Sequence, residues 1–398
     1  MSVSMNITFA DLNRGRNTAT LAIALLLATT APAQASAQGA RRTLSPSEVA
    51  LADSIASAEF ARDSVGGMTV GIITGDSLVW TKSYGWADIA TRKPATHRTV
   101  YRIGSITKTF TAVMLWQLVR RGDVTLDSPV SRWVPEISEV RDLPRGASPP
   151  TIMQLATMSA GLAREPDPKG DFWSGPVSRW DSILIAALPD TRYDFAPGKR
   201  YEYSNIGYAI LGLALERAAH TPYVEWEQAH VLTPLGMTRS AFSADSAIAS
   251  DVATGYEISR SGQVDDTTAQ RERRTGRGYK VPNGALFTTV DDLARFVEFE
   301  LGHGPAAVLD SATLRRQFAS PVSAIGPGAG YGPGFMTQLS PYGVLLGHDG
   351  SVAGFSARMM YNREADFGII VLRNATGDPT QISRLTGALL RLLATRAG

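Results

Sequence analysis

The chain has 398 residues, of which 44% are hydrophobic, and a formal net charge of +2 at pH 7. That length can bury a sizeable core, in one large domain or two to three small ones, and so balanced a charge carries no nucleic-acid footprint. There is no cysteine, which excludes thiol catalysis, a disulfide framework, zinc–thiolate ligation and a lipid-modified N-terminal cysteine.

In chain order, Arg14 and Arg16 precede an apolar stretch from Ala19 to Ala31, and small residues follow at Ala35 and Ala37. This is the charged, apolar, small-residue order of a secretory signal, and the apolar run is shorter than the ~20 residues of a spanning helix. Residues 1–37 are therefore expected to be removed, leaving a periplasmic or secreted chain of residues 38–398 with no stable membrane span. Ser45-Pro46-Ser47-Glu48 reads as a capping box with proline at the first helical position, opening a helix through Phe60. Met68–Thr74 and Leu78–Ser83 read as strands joined by a turn at Gly75-Asp76. From Ser105 to Gly122 the pattern is a helix apolar nearly all round, hence buried. Residues 125–285 read as helical and loop-rich, with long loops at 163–180 and 257–284. Strands return near 331–338, 343–348, 354–361 and 367–373, and 380–397 is an amphipathic helix. Strands at both ends with helices between them predict one mixed α/β domain, its sheet built from both termini around a helical insertion.

Three short patterns carry chemistry. Ser105-Ile106-Thr107-Lys108 is the one Ser-x-x-Lys in the chain. Residues i and i+3 share a helix face, so Lys108 can reach the Ser105 hydroxyl, which needs a base to become nucleophilic. A lysine serves if burial or neighbouring cations depress its pKa. Tyr203-Ser204-Asn205 precedes an apolar helix. A phenol can relay a proton if cations lower its pKa, and an asparagine amide can hold both a lysine and a substrate carbonyl. The bland alternative is a core tyrosine and a helix-capping asparagine. His348-Asp349-Gly350-Ser351 follows an apolar strand. Gly350 would admit a substrate backbone, and the Ser351 N–H would complete an oxyanion hole with that of Ser105. The plain alternative is a β-turn.

Taken in order, Ser-x-x-Lys, Tyr-x-Asn and a Lys/His-x-Gly triplet resemble the serine β-lactamase and penicillin-binding superfamily. Further stretches fit the same family, among them Tyr101-Arg102-Ile103-Gly104, Ser159-Ala160-Gly161-Leu162, Phe195-Ala196-Pro197-Gly198 and Pro282-Asn283-Gly284-Ala285-Leu286. The pattern is nearest the branch of class C β-lactamases, D-alanyl-D-alanine carboxypeptidases and family VIII esterases. The resemblance implies a β-lactamase/transpeptidase-like fold with an antiparallel sheet flanked by helices. It implies Ser105 as nucleophile, Lys108 and Tyr203 as the base/acid pair, and Asn205 as a substrate-amide contact. His348 would be the cationic or hydrogen-bonding group opposite, and Ser105 and Ser351 the oxyanion donors. No cofactor is implied, and the partner is a small-molecule or peptide substrate. Histidine in place of lysine at 348 ranks a carboxypeptidase-like or esterase-like enzyme above a true β-lactamase. It also suggests a group of unperturbed pKa about 6.5 that Lys108 pushes down, leaving a neutral imidazole at pH 7 that becomes charged only in mild acid. The rival from another class is a non-catalytic penicillin-binding or sensor module. No Gly-x-Ser-x-Gly or His-Glu-x-x-His motif occurs. His97, His220, His230 and His303 read as surface or capping residues. Arg271, Arg273, Arg274, Arg277 and Lys280 read as a solvated basic loop or, alternatively, as a recruiter of substrate carboxylates. Phe172, Trp173 and Trp180 form either a lip over the site or the anchors of a surface loop.

Overall fold

The computed structural model describes residues 43–244, 248–320, 322–377 and 380–394; the expected signal lies outside them. Helix α1 (Pro46–Phe60) starts where the capping box places it. Glu48 N–H donates to the Ser45 hydroxyl at 3.4 Å, and Ser45 N–H donates to the Glu48 carboxylate at 2.7 Å.

The main sheet has nine strands, each pair of neighbours antiparallel. They are β1 (Gly67–Thr74), β2 (Ser77–Asp88), β3 (Lys93–Pro94), β4 (Ser323–Gly326), β5 (Ala329–Tyr331), β6 (Met336–Ser340), β7 (Gly343–Val352), β8 (Phe355–Asn362) and β9 (Phe367–Arg373). Their order is β3-β2-β1-β9-β8-β7-β6-β5-β4. The two ends of the chain therefore meet at the β1–β9 pair, with Val70 opposite Val371. Both strands are buried throughout, because both faces of the sheet are covered. Met68, Val70, Ile72, Phe367, Ile369 and Val371 pack with α1 and the C-terminal helix α7 (Ile382–Ala394). Ile73, Ile370 and Leu372 belong to the larger core on the other face. A side chain at Gly71 would meet Val290 at 2.8 Å, so α6 (Val290–Glu298) lies close on that face.

The larger core is centred on α2 (Thr107–Arg121), buried from Thr107 to Leu118 and closed by Gly122 in the left-handed region at φ 83°. Beside it run α3 (Asn205–Ala219), almost as buried, and the four-residue α5 (Val281–Gly284). Three sequence expectations change. Residues 257–284 are not a loop: they contain the strand Val264–Asp265, α4 (Thr267–Thr275) and α5. The strand expected at 331–338 is broken, because Gly332-Pro333-Gly334 turns against α2; a side chain at Gly334 would meet Ala112 at 2.3 Å. Helices also continue beyond residue 285, through α6 and Ser311–Phe318. Among the described residues no helix is long and apolar enough to cross a membrane.

Candidate active site

Ser105 lies in a single 3-10 turn, Gly104–Ile106, that leads into α2. Gly104 has φ +51°, and a Cβ there would fall 2.9 Å from Ser351 N and 3.0 Å from Ser351 O. Only glycine lets the turn that carries Ser105 lie this close to β7. The same contact sets the Ser351 backbone beside that turn. His348-Asp349-Gly350-Ser351 is part of β7 and not a turn. Gly350 is required for a different close approach from the expected one: a Cβ there would sit 1.9 Å from the carbonyl oxygen of Ile103. It meets the segment that carries Ser105 rather than a substrate backbone.

Lys108 is fully buried. Its Nζ lies 3.1 Å from Ser105 Oγ, 2.8 Å from Asn205 Oδ1 and 2.9 Å from the carbonyl oxygen of Asn283. The Asn205 amide has one defined orientation. Its Nδ2 donates to Glu165 Oε1 at 2.8 Å, and a carboxylate only accepts, so Oδ1 faces Lys108. Two of the three neighbours of Nζ are then pure acceptors. A neutral amine fits: it donates one hydrogen to each and turns its lone pair to the Ser105 hydroxyl. Burial is the largest effect holding Lys108 well below the usual lysine range. Lys280, Arg277 and Arg164 push it further down, while the Glu165 carboxylate pulls it up.

Tyr203 is partly buried, and Ser105 is among the neighbours that act on its hydroxyl. Arg164 lies over its ring at 4.8 Å and Lys108 at 5.0 Å. The expectation of a phenol lowered by cations is corrected. Desolvation outweighs both Ser105 and Arg164, and holds Tyr203 above the ordinary tyrosine range. It is a neutral hydroxyl at pH 7, able to donate to Ser105. The helix cap expected of Asn205 falls to Ser204, whose hydroxyl accepts from Gly207 N–H at 3.0 Å. That leaves the Asn205 amide to the site, where Lys108 and Glu165 engage both its ends. The amide oxygen thus holds the lysine, one of the two roles expected of Asn205.

His348 is pushed down as expected, but burial more than Lys108 does it, and the charging expected in mild acid is lost. It is 2% exposed. Its Nδ1 donates to the Asp349 carbonyl at 2.6 Å, so its Nε2 accepts from the Tyr331 hydroxyl at 2.9 Å. Burial first, then Lys108, pushes its pKa down to about 3. It is neutral across the physiological range and offers no cation. Of the other histidines, His97 and His303 pair with Asp291 and Asp366 at the surface, and His220 closes α3 at φ 51°. Among the described residues no three of His, Asp or Glu converge as metal ligands.

Several site residues escaped the sequence reading. Glu165 stands in a loop with no periodicity, yet it accepts from Asn205, from the Tyr279 hydroxyl and, at 2.9 Å, from Lys280. Tyr331, which donates to His348, opens the strand expected near 331–338 and drew no site reading. Asn283 lay in plain view in Pro282-Asn283-Gly284, but a backbone carbonyl contact leaves no trace in residue type. The basic loop divides: Arg277 and Lys280 are mostly buried and paired with Glu272 and Glu165, whereas Arg271, Arg273 and Arg274 are exposed. Trp173 packs against Tyr279 at 5.8 Å with Lys280 over its ring at 4.4 Å, and Trp180 is buried in the core. These aromatics anchor the loop.

The Beta-lactamase family model matches residues 52–392. The chain belongs to the Beta-lactamase family. It is 31% identical over 264 residues to Beta-lactamase-like protein 2 of Dictyostelium discoideum, covering 65% of this chain and 46% of that protein. It is 26% identical over 328 residues to Protein flp of Staphylococcus aureus, covering 82% and 63%. The chain thus spans about half to three fifths of these curated relatives. Among solved structures it resembles the octameric penicillin-binding protein homologue from Pyrococcus abyssi, with TM-score 0.70 and 29% identity over 87% of this chain and 77% of that one. It shares the fold of D-alanine carboxypeptidase AmpC from Burkholderia cenocepacia, with TM-score 0.71 and 21% identity over 87% and 99%. The fold is that of the family's serine hydrolases.

Proposed function

We propose that the protein is an exported serine hydrolase that works through an acyl-enzyme on Ser105, with small ester, amide or peptide substrates. The observation that carries this reading is the setting of Lys108 Nζ, 3.1 Å from Ser105 Oγ with its two other neighbours pure acceptors. Ser105 Oγ attacks the substrate carbonyl carbon while its proton passes to the Lys108 lone pair. The Ser105 and Ser351 N–H groups face the oxygen that gains charge. The carbon–heteroatom bond then breaks, and the leaving group takes a proton from Tyr203, which Lys108 resupplies. Water attacks the Ser105 ester, gives its proton back through the same pair and releases a carboxylic acid. A neutral His348 leaves the third motif without the charge a β-lactam carboxylate would meet, which favours esterase-like or carboxypeptidase-like substrates over lactams.

Intact-mass analysis with a slow acylating p-nitrophenyl ester is expected to show one adduct per chain, on the peptide containing Ser105, and none in Ser105→Ala. An adduct that survives that substitution would move the nucleophile elsewhere. Export belongs to the same reading. From a secreting host the mature chain should begin at or near Gln38, and recovery of intact Met1 there would end it.

A further inference from the structure

Behind the catalytic lysine, α5 separates two compartments. The Asn283 carbonyl and amide turn to Lys108 and to Asn205, whereas Val281 and Ala285 line a cavity of about 270 Å³ that none of Ser105, Lys108, Tyr203, Asn205 and His348 reaches. Residues two apart on a helix face opposite ways, so the cavity lies on the side of α5 away from the nucleophile.

The cavity is charged out of balance. Arg102, Arg273, Arg274 and Arg277 line it with one carboxylate, Glu272; four positive charges less one negative leave three positive. Glu272 accepts from Arg102 Nη2 at 2.7 Å and lies 3.2 Å from Arg277 Nε. Arg102 is 2% exposed, and among the described residues its Nε and Nη1 have no hydrogen-bond partner. The rings of Phe287 and Phe355 flank it at 5.7 and 5.9 Å but supply no acceptor in the guanidinium plane. Buried donors are ordinarily satisfied, and guanidiniums are rarely packed together without counter-charge. Burial and the nearby Arg277 pull Arg102 down to about 10, the cost that an anion would relieve. The remaining walls join an apolar side, from Val177, Phe242, Val281 and Phe287, to the small polar residues Ser178, Ser243 and Thr275.

We propose that this cavity is a second binding site, for a small organic carboxylate whose head meets Arg277 and Arg274 and whose apolar body lies against Phe242, Val281 and Phe287. Carboxylate matches the planar guanidinium fork, and the apolar walls favour a carbon body over a bare inorganic ion. Ligand pockets commonly span about 300–1,000 Å³, so the occupant is at the small end, a single ring or a short chain. The site also borders the catalytic residues. Arg277 Nη1 donates to the Gly284 carbonyl at 2.6 Å, and the neighbouring carbonyl, that of Asn283, holds Lys108.

The test is calorimetric titration at constant ionic strength with benzoate, with neutral benzamide and inorganic phosphate as comparison probes. It reads binding and not turnover, so it does not depend on the hydrolase reading. Benzoate is expected to bind one to one, benzamide not at all and phosphate more weakly. Arg274→Glu, at an exposed position where thermal unfolding can verify the fold, should weaken benzoate at least tenfold. Ser105→Asp, which puts a negative charge in the catalytic cleft, should leave benzoate affinity unchanged. No benzoate binding, binding of benzamide or phosphate as tight as benzoate, indifference to Arg274→Glu, or a tenfold loss in Ser105→Asp would each overturn the proposal.

Discussion

Four charged side chains act on Lys108, and they act in opposite directions. Lys280, Arg277 and Arg164 depress it and Glu165 raises it, all against a larger effect of burial. If the neutral amine is the working form, kcat/KM rises with pH through the Lys108 titration. Glu165→Gln removes the one carboxylate that favours the ammonium, so its acid limb should move to lower pH. Arg164→Gln removes a depressing cation, so its limb should move to higher pH. Shifts in the same direction would mean that Lys108 does not govern the limb. The same pH series settles the part played by His348. A group with its pKa near 3 does not change charge between pH 5 and 9, so the preference for a carboxylated substrate over its neutral twin should stay flat. A ratio that climbs below pH 7 would restore the acid-charged histidine that the sequence suggested.

At the scale of elements, buried carboxyl groups write a pH dependence into the helical core. Glu227, at the end of the short helix Tyr223–Glu227, and Glu300, which accepts from the Tyr361 hydroxyl at 3.2 Å, are fully buried. Desolvation lifts both to about 8. Between the unfolded value near 4.5 and 8 the folded chain holds protons that the unfolded chain has lost. Stability is therefore fully present below about pH 4.5 as far as these groups go, and falls as pH rises to 8, by at most about 1.4 kcal/mol per unit per group. Glu227→Gln is expected to flatten this slope in chemical denaturation from pH 5 to 8, gaining on the wild type toward pH 8; a parallel slope would remove Glu227 from the account. The elements that periodicity reveals were readable in the sequence: α1 from its capping box, α2 from its unbroken apolar run, β1 and β9 from their β-branched residues. Ser105 and Lys108 were readable for the same reason, since four residues on one turn settle their own geometry. Glu165, Tyr331 and the Asn283 carbonyl were not, because each acts through a partner 17 to 175 residues away. The burial that silences His348 is likewise a property of the assembled strands β5 and β7 and not of the tetrapeptide.

Across the whole molecule the sheet is closed by the two ends of the chain. Arg373 donates to Asp63 at 2.6 Å, and Arg384 Nε donates to Glu59 at 2.7 Å, so β9 and α7 are tied to α1 and the turn that follows it. The residues assembled at the site come from positions 105, 108, 165, 205, 283 and 351. The Ser351 backbone, the proposed partner of Ser105 in an oxyanion hole, rides on β7, which joins β1 only through β8 and β9. Non-local pairings of this kind are slow to form, since the loops between them must close first. During refolding, helical signal is thus expected to return before reactivity toward the acylating ester. Stopped-flow circular dichroism beside quenched labelling would show the order, and simultaneous recovery would exclude it. The nucleophile then works as a clock on its own assembly: a chain that can be acylated is one whose first and last strands have already found each other.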